Sequence, residues 1–212
     1  MHIPDGLVAP HVYLPSYLLA GGIALVSFRN IRSSFVEENI PYLASLSAFS
    51  FILSSIAVPL PGGTSVHGMG MAPIAILFGP WVAYICTALV LILQALVLGE
   101  GGITTYPLNL LSMGLVGSFS AYWVFKLFPH RSYAPFLSGL ISVLCSAFVL
   151  ALLLGMHPYF FKDPSGKPLY FPYPLTITLP ALLLPHILAG VSEGILTHIA
   201  LNLLKNRIKK YV

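Results

Sequence analysis

The sequence predicts an all-α fold, a polytopic bundle of seven membrane-crossing helices with the amino terminus on the outer face. Three observations predict it. Of 212 residues, 57% are hydrophobic and 8% charged, against about 25% charged in an average soluble domain. From Asn39 to Gly99 there is no Asp, Glu, Lys or Arg. The basic residues fall into clusters separated by apolar runs of membrane-spanning length. Ten Lys+Arg and six Asp+Glu cannot coat a soluble particle of this size, and the mean hydropathy is +0.89. Soluble enzymes, nucleic-acid binders and disordered regulators are therefore excluded. The formal net charge of +4 reads as a cytoplasmic rim instead of a nucleic-acid patch.

The elements follow in order along one transmembrane domain, residues 1–212. The chain opens Met1-His2-Ile3-Pro4-Asp5-Gly6, with no Lys or Arg before Arg29. A secretory signal peptide starts with positive charge, so this segment is expected to be retained. His2 is too bulky for removal of the preceding methionine, which leaves a free amine on Met1. Stretches able to cross a ~30 Å core then run from about Val12 to Phe28, Ile40 to Leu60, Met71 to Phe78, Trp81 to Leu98, Leu108 to Leu127, Pro135 to Gly155 and Leu179 to Leu204. The third is short, breaks at Gly79-Pro80, and crosses only if residues from about Val66 onward join it. With seven spans, Arg29, Arg32, Lys126, Arg131, Lys205, Arg207, Lys209 and Lys210 fall on the cytoplasmic side, with the carboxyl terminus. Lys162 and Lys167 fall outside. Merging the third and fourth spans gives six and moves Arg29 and Arg32 outside, so seven fits better. Cys86 and Cys145 sit inside apolar runs and read as small hydrophobes.

Seven histidines are candidates for chemistry. His130, beside Arg131, reads as a solvated turn residue, and His11 and His157 as interfacial. His186 and His198 flank Glu193 in the last span; an intramembrane carboxylate is a functional suspect, and pairing with a neighbouring helix explains it equally well. His2 differs because of the chain end. The Met1 amine, the amide nitrogen of residue 2 and the His2 imidazole can bind one ion as fused five- and six-membered chelate rings. Residues 1–11 are thus a candidate metal-chelating segment. Such rings hold three nitrogens near one plane, which suits Ni²⁺ or Cu²⁺ and disfavours tetrahedral Zn²⁺. The fourth position needs a partner, and the candidate is His67, in the outer loop of residues 61–70, where Gly62, Gly63, Gly68 and Gly70 permit close approach. Met69 and Met71 as thioether ligands would fit Cu(I); packing explains them better.

Met1-His2-Ile3-Pro4-Asp5-Gly6, Gly62-Gly63-Thr64-Ser65-Val66-His67 and Phe78-Gly79-Pro80-Trp81 resemble the NikM/CbiM proteins, the substrate-binding membrane components of energy-coupling factor transporters for nickel or cobalt. Leu93-Gln94-Ala95-Leu96, Gly101-Gly102-Ile103-Thr104-Thr105 and Asn109-Leu110-Leu111-Ser112-Met113-Gly114 are similar as well. The resemblance is densest from Met1 to Gly117. It implies a six-helix core with an added amino-terminal helix, and an ion held by the Met1 amine, the His2 amide nitrogen and imidazole, and His67. It makes Asp5, Thr64, Ser65, Asn109 and Ser112 candidates for orienting those donors. It implies Ni²⁺ or Co²⁺ as transported substrate, with nickel slightly favoured, and no organic cofactor. It also implies a membrane coupling protein, cytoplasmic ATPases and a small accessory membrane protein as partners in a prokaryotic inner membrane. Ala44 and Ala48 are the docking candidates. The chain has no Gly-x-x-x-x-Gly-Lys loop of its own. Some cobalt-type members begin Met-His-Ile-Met-Glu-Gly and follow the second histidine with Pro-Thr-Gly-Thr-Gly. This chain has Pro4-Asp5 and Gly68-Met69-Gly70-Met71, differences that touch no donor. A vitamin-binding component of the same transporter type, an intramembrane enzyme and an unrelated intramembrane metal-binding protein are the alternatives.

Overall fold

The computed structural model describes residues 1–31 and 37–204. Arg32 and the basic tail from Lys205, with Arg207, Lys209 and Lys210, lie outside the described residues. A helix stands at each expected place. They are α1 (Pro10–Ile31), α2 (Ile40–Ser55), α3 (Met71–Phe78), α4 (Pro80–Leu98), α5 (Tyr106–Leu127), α6 (Ala134–Phe160) and α7 (Leu175–Leu204). Five of these, α1 and α4 to α7, are long and apolar enough to cross a membrane. The bundle is inside-out by the standards of a soluble protein. Leu18 is 81% exposed and Leu188 74%, while serines, histidines and a glutamate fill the centre, because lipid accepts the apolar side chains and offers polar groups no partner. Over its apolar window α1 is only 17% buried, against 50% for α5 and α6, so it packs peripherally on α4 and α5.

Two departures from the sequence expectation shape the centre. Helix α2 ends at Ser55, not Leu60, because the chain turns into a two-stranded hairpin, β1 (Val58–Pro59) against β2 (Ser65–Val66), with Val58 opposite Val66. The fold is thus not purely α. After β2 the chain stays non-helical to Gly70, and α3 then begins beside Ser50, in the last turns of α2. A Cβ on Gly70, whose φ is +67°, would stand 2.9 Å from the Ser50 Cα, so both backbone angle and space require glycine. Eight residues at about 1.5 Å each give α3 roughly 12 Å, well short of a bilayer core. Non-helical backbone at this depth is tolerated only when buried in protein and supplied with hydrogen-bond partners.

Helices α4 and α5 each contain π-type wide turns, at Gln94–Leu98 and Leu110–Gly117. Such bulges mark functional sites, and here they adjoin Gln94 and Asn109. Helices α6 and α7 run longer than expected, starting at Ala134 and Leu175. They press together over glycines: a Cβ on Gly139 would lie 2.7 Å from the Glu193 carbonyl oxygen. That close approach holds Glu193 against the start of α3.

Candidate metal centre

The amino-terminal segment is threaded into the bundle. Met1, His2 and Ile3 are 2%, 4% and 0% exposed. The Asn109 side chain acts as a strand-like partner for Ile3: Oδ1 accepts the Ile3 N–H at 2.9 Å and Nδ2 donates to its carbonyl at 3.1 Å. The Thr105 hydroxyl donates to the same carbonyl. Asp5 accepts from the Ile103 N–H at 3.1 Å, the Thr104 N–H at 2.8 Å and the Thr104 hydroxyl. Partial burial raises the Asp5 carboxyl, but these bonds outweigh it and hold the group below its ordinary value. Gly102 is fitted to this contact, since a Cβ there would meet Asp5 Oδ1 at 2.2 Å. Farther along, the Phe171 N–H donates to the Leu7 carbonyl and the Ala9 N–H to His157 Nε2. His157 is therefore not an interfacial loop residue. It is 3% exposed in the last turn of α6 and anchors the entry of α1.

The two imidazoles singled out by the sequence meet at this segment. Their ring centres lie 4.4 Å apart with 25° between the planes. Gln94 Nε2 donates to Ser54 Oγ at 2.7 Å, and Ser54 Oγ to the Ser50 carbonyl. That chain turns Gln94 Oε1 toward His2, where it accepts the Nε2–H at 3.2 Å. His2 Nδ1 is left unprotonated, buried and without a partner. His67, 3% exposed, repeats the pattern with its nitrogens exchanged: Nδ1–H donates to the Gly68 carbonyl at 2.8 Å and Nε2 has no partner. Each ring thus spends one nitrogen fixing its tautomer and keeps one lone pair for something else, as metal-ligating histidines do. The His2 N–H donates to Ser65 Oγ at 3.3 Å. Burial pushes the Met1 amine well below its ordinary pKa, with Glu100 opposing. Burial, reinforced by the amine's charge and opposed by Gln94, pushes His2 down to about 3. Neutral nitrogen is the form that binds metal. Among the described residues no three His, Cys, Asp or Glu side chains form a group that could hold a metal ion.

Three residues that sequence reasoning left without a role, Glu193, Ser50 and Gln94, hold this arrangement in place. Glu193, fully buried on α7, accepts the N–H groups of Met69 and Gly70 at 2.9 Å each through Oε2. The Ser50 hydroxyl donates to the Met69 carbonyl. These bonds satisfy the broken backbone directly after His67. The signal was present in the sequence: a single carboxylate in an apolar span and a glycine-broken, charge-free segment that needs an acceptor. Gln94 was legible by the same logic, as a lone amide in an otherwise apolar run.

The other candidates divide. Ser65 and Asn109 touch residues 2 and 3 directly, and Asp5 fastens the segment to residues 103–104. Thr64 is buried with its hydroxyl unpartnered. Ser112 faces away from the imidazoles: it donates to the Ser146 carbonyl at 2.9 Å and the Ser146 hydroxyl donates back to the Ser112 carbonyl, which ties α5 to α6. Ala44 and Ala48 are exposed on the outer face of α2, beside Ile52 at 62% exposure. Met69 and Met71 line a small cavity with Met113, His67 and Gln94. His11 and His130 are exposed and His198 half-buried.

Comparison with known proteins places this geometry in a family. The CbiM family, described as the cobalt uptake substrate-specific transmembrane region, matches residues 2–210. A fused nickel transport protein, NikMN, of Rhodobacter capsulatus is 34% identical over 206 residues, 93% of this chain. The match spans 59% of that longer protein. A cobalt transport protein, CbiM, of Acetoanaerobium sticklandii is 34% identical over 209 residues, covering 96% of this chain and 84% of that one. A crystal structure of a truncated transition metal transporter superimposes with a TM-score of 0.93 at 31% identity, covering 99% of this chain and 100% of the other. Family match, relatives and solved structure agree, and the chain belongs to the CbiM family of substrate-specific transmembrane proteins.

Proposed function

We propose that this protein is the substrate-binding membrane component of an ATP-driven uptake system for Ni²⁺ or Co²⁺, Ni²⁺ slightly favoured. The ion is held by the Met1 amine, the His2 amide nitrogen, His2 Nδ1 and His67 Nε2. One observation carries the reading: the two free lone pairs, His2 Nδ1 and His67 Nε2, are buried together beside the buried amine. The rings here are 4.4 Å apart. The amide N–H, which donates to the Ser65 hydroxyl at 3.3 Å in the ion-free chain, must give its proton to solvent base when the nitrogen binds the ion. The family description and the names of the relatives support uptake of nickel or cobalt. A vitamin is disfavoured because the cavities beside Met1 and His67 are each about 10 Å³, room for one water, whereas drug-sized ligands need hundreds of cubic ångströms.

Energy comes from partners: a membrane coupling protein that docks at Ala44 and Ala48, cytoplasmic ATPases, and a small accessory membrane protein. The setting is a prokaryotic inner membrane, with Met1 outside and the carboxyl terminus cytoplasmic. Seven crossings are completed by α2, and by α3 with the extended chain before it. In support, α1 and α5 both begin at the metal-site end, where the Tyr17 hydroxyl donates to the Ile103 carbonyl. Both end in basic turns at Arg29 and Lys126, as expected of helices ending in the cytoplasm. The test is Ni²⁺ titration of purified protein by absorption spectroscopy, with and without one residue added before Met1. The wild-type chain should show the weak d–d band of a planar nitrogen site, lost in the extended chain and in His67→Ala. Undiminished binding by the extended chain refutes the chelate.

A further inference from the structure

A third imidazole in the bundle follows the rule of the other two and has no role in the ligand set. His186, on α7, is 0% exposed. Its Nδ1–H donates to the Leu182 carbonyl one turn earlier at 2.6 Å, and its Nε2 is buried without a partner. Thr64, in the same region, carries a buried hydroxyl without a partner. Both groups line one cavity of about 10 Å³ together with Met1, and its remaining walls, Ile3, Ala147, Leu150 and Leu182, are apolar. Two residues with orphaned acceptors and the first residue of the chain therefore meet around one small space.

The amine supplies the matching chemistry. A neutral primary amine has one lone pair and two N–H bonds. If the lone pair binds the ion, both N–H bonds point away from it and require acceptors in a site closed to solvent. We propose that His186 and Thr64 form a recognition site for the chain's own free α-amine. With the ion bound, His186 Nε2 and Thr64 Oγ1, both without a partner in the ion-free chain, accept its two N–H bonds and thereby aim the lone pair at the ion. His186 is a positioning residue, not a metal ligand. The same arrangement selects against a blocked terminus: a formylated or acetylated Met1 keeps one N–H, loses the basic lone pair, and brings an acyl group that a cavity this small cannot hold. Two uncharged acceptors match two N–H donors.

The inference rests on the Met1 chelate proposed above, and the experiment separates the two. Full-length wild type, His186→Leu, His186→Gln, Thr64→Val, Thr64→Ser and His67→Ala are titrated with Ni²⁺ in competition with a coloured chelator. Absorption spectra are recorded at saturation. Loss of an orienting partner weakens metal sites about 10- to 100-fold. His186→Leu and Thr64→Val should each fall in that range while retaining a planar-site band at saturation. His186→Gln and Thr64→Ser, which restore an acceptor, should recover most of the affinity. Thr64→Val is nearly isosteric and guards against a variant that merely misfolds. The inference is overturned if His186→Leu and Thr64→Val bind within twofold of wild type, or if the acceptor-restoring variants are as weak as the apolar ones. It is overturned as well if the band of wild type is that of a five-coordinate ion and His186→Leu converts it to a planar one, since His186 is then a ligand. If wild type binds no Ni²⁺, the chelate itself falls; if only His67→Ala loses binding, the chelate stands and the amine site does not.

Discussion

Replacing Gln94 with leucine removes the acceptor that holds the His2 Nε2–H. In the native arrangement the bond measures 3.2 Å and Gln94 is itself pinned by a 2.7 Å bond to Ser54. Without it, a buried N–H is left unsatisfied, at a cost of about 1–3 kcal/mol. The ring can recover part of that cost by moving its proton to Nδ1 or turning over. Either change takes the lone pair away from the ion, so the loss appears in metal affinity more than in folding. Orienting partners of metal-bound histidines are worth about 10- to 100-fold, or roughly 1.4–2.8 kcal/mol. The assay is competition titration with a coloured chelator at fixed pH, with Ser54→Ala alongside. Ser54→Ala leaves Gln94 in place but unpinned, and should lose less. Binding by Gln94→Leu within twofold of wild type, in a preparation where His67→Ala has lost it, refutes the tautomer argument.

The remaining predictions concern the same centre. Glu193→Leu leaves the Met69 and Gly70 N–H groups unsatisfied. At about 1–3 kcal/mol each, the thermal midpoint of the apoprotein should drop on the order of 10 °C; Glu193→Gln, which keeps one acceptor oxygen, should drop less. Asn109→Leu breaks both bonds to Ile3 and should free the amino terminus. An amine-reactive reagent should then label Met1 at least about tenfold faster than in wild type, if each lost bond is worth about 1 kcal/mol or more. The pH dependence of apoprotein stability has a definite sign. Burial depresses the Met1 amine from 8.0 and His2 from 6.5 to about 3, so below those ordinary values the unfolded chain binds more protons. Stability therefore rises with pH across about 3 to 8, and is lost as pH falls, by up to about 1.4 kcal/mol per unit for each group. Thermal midpoints from pH 5 to 8 check this; a flat or falling profile would contradict it.

What the sequence alone determined was whatever depends on solvent and on short spacing. Sixteen charges on 212 residues identified lipid as the solvent, and the punctuation by Arg, Gly and Pro located the helices, because crossing a bilayer is a matter of local length and hydropathy. His2 stood out as a candidate because the proposed chelate through a free amine and its neighbouring amide would be built within two residues. The break at Gly79 was legible too, from Gly-Pro. Tertiary structure decided the rest. Helix α2 gives way to a hairpin in which Val58 pairs with Val66, a local turn that the apolar run to Leu60 conceals. The roles of Gln94 and Glu193 depend on partners 92 and 124 residues away, and His186 and Met1, from opposite ends of the chain, line one cavity. Met69 and Gly70 need an acceptor wherever they are buried, and that need is visible in the sequence. Which side chain meets it is not, because in a bundle wrapped in lipid the polar partner is chosen by proximity through space.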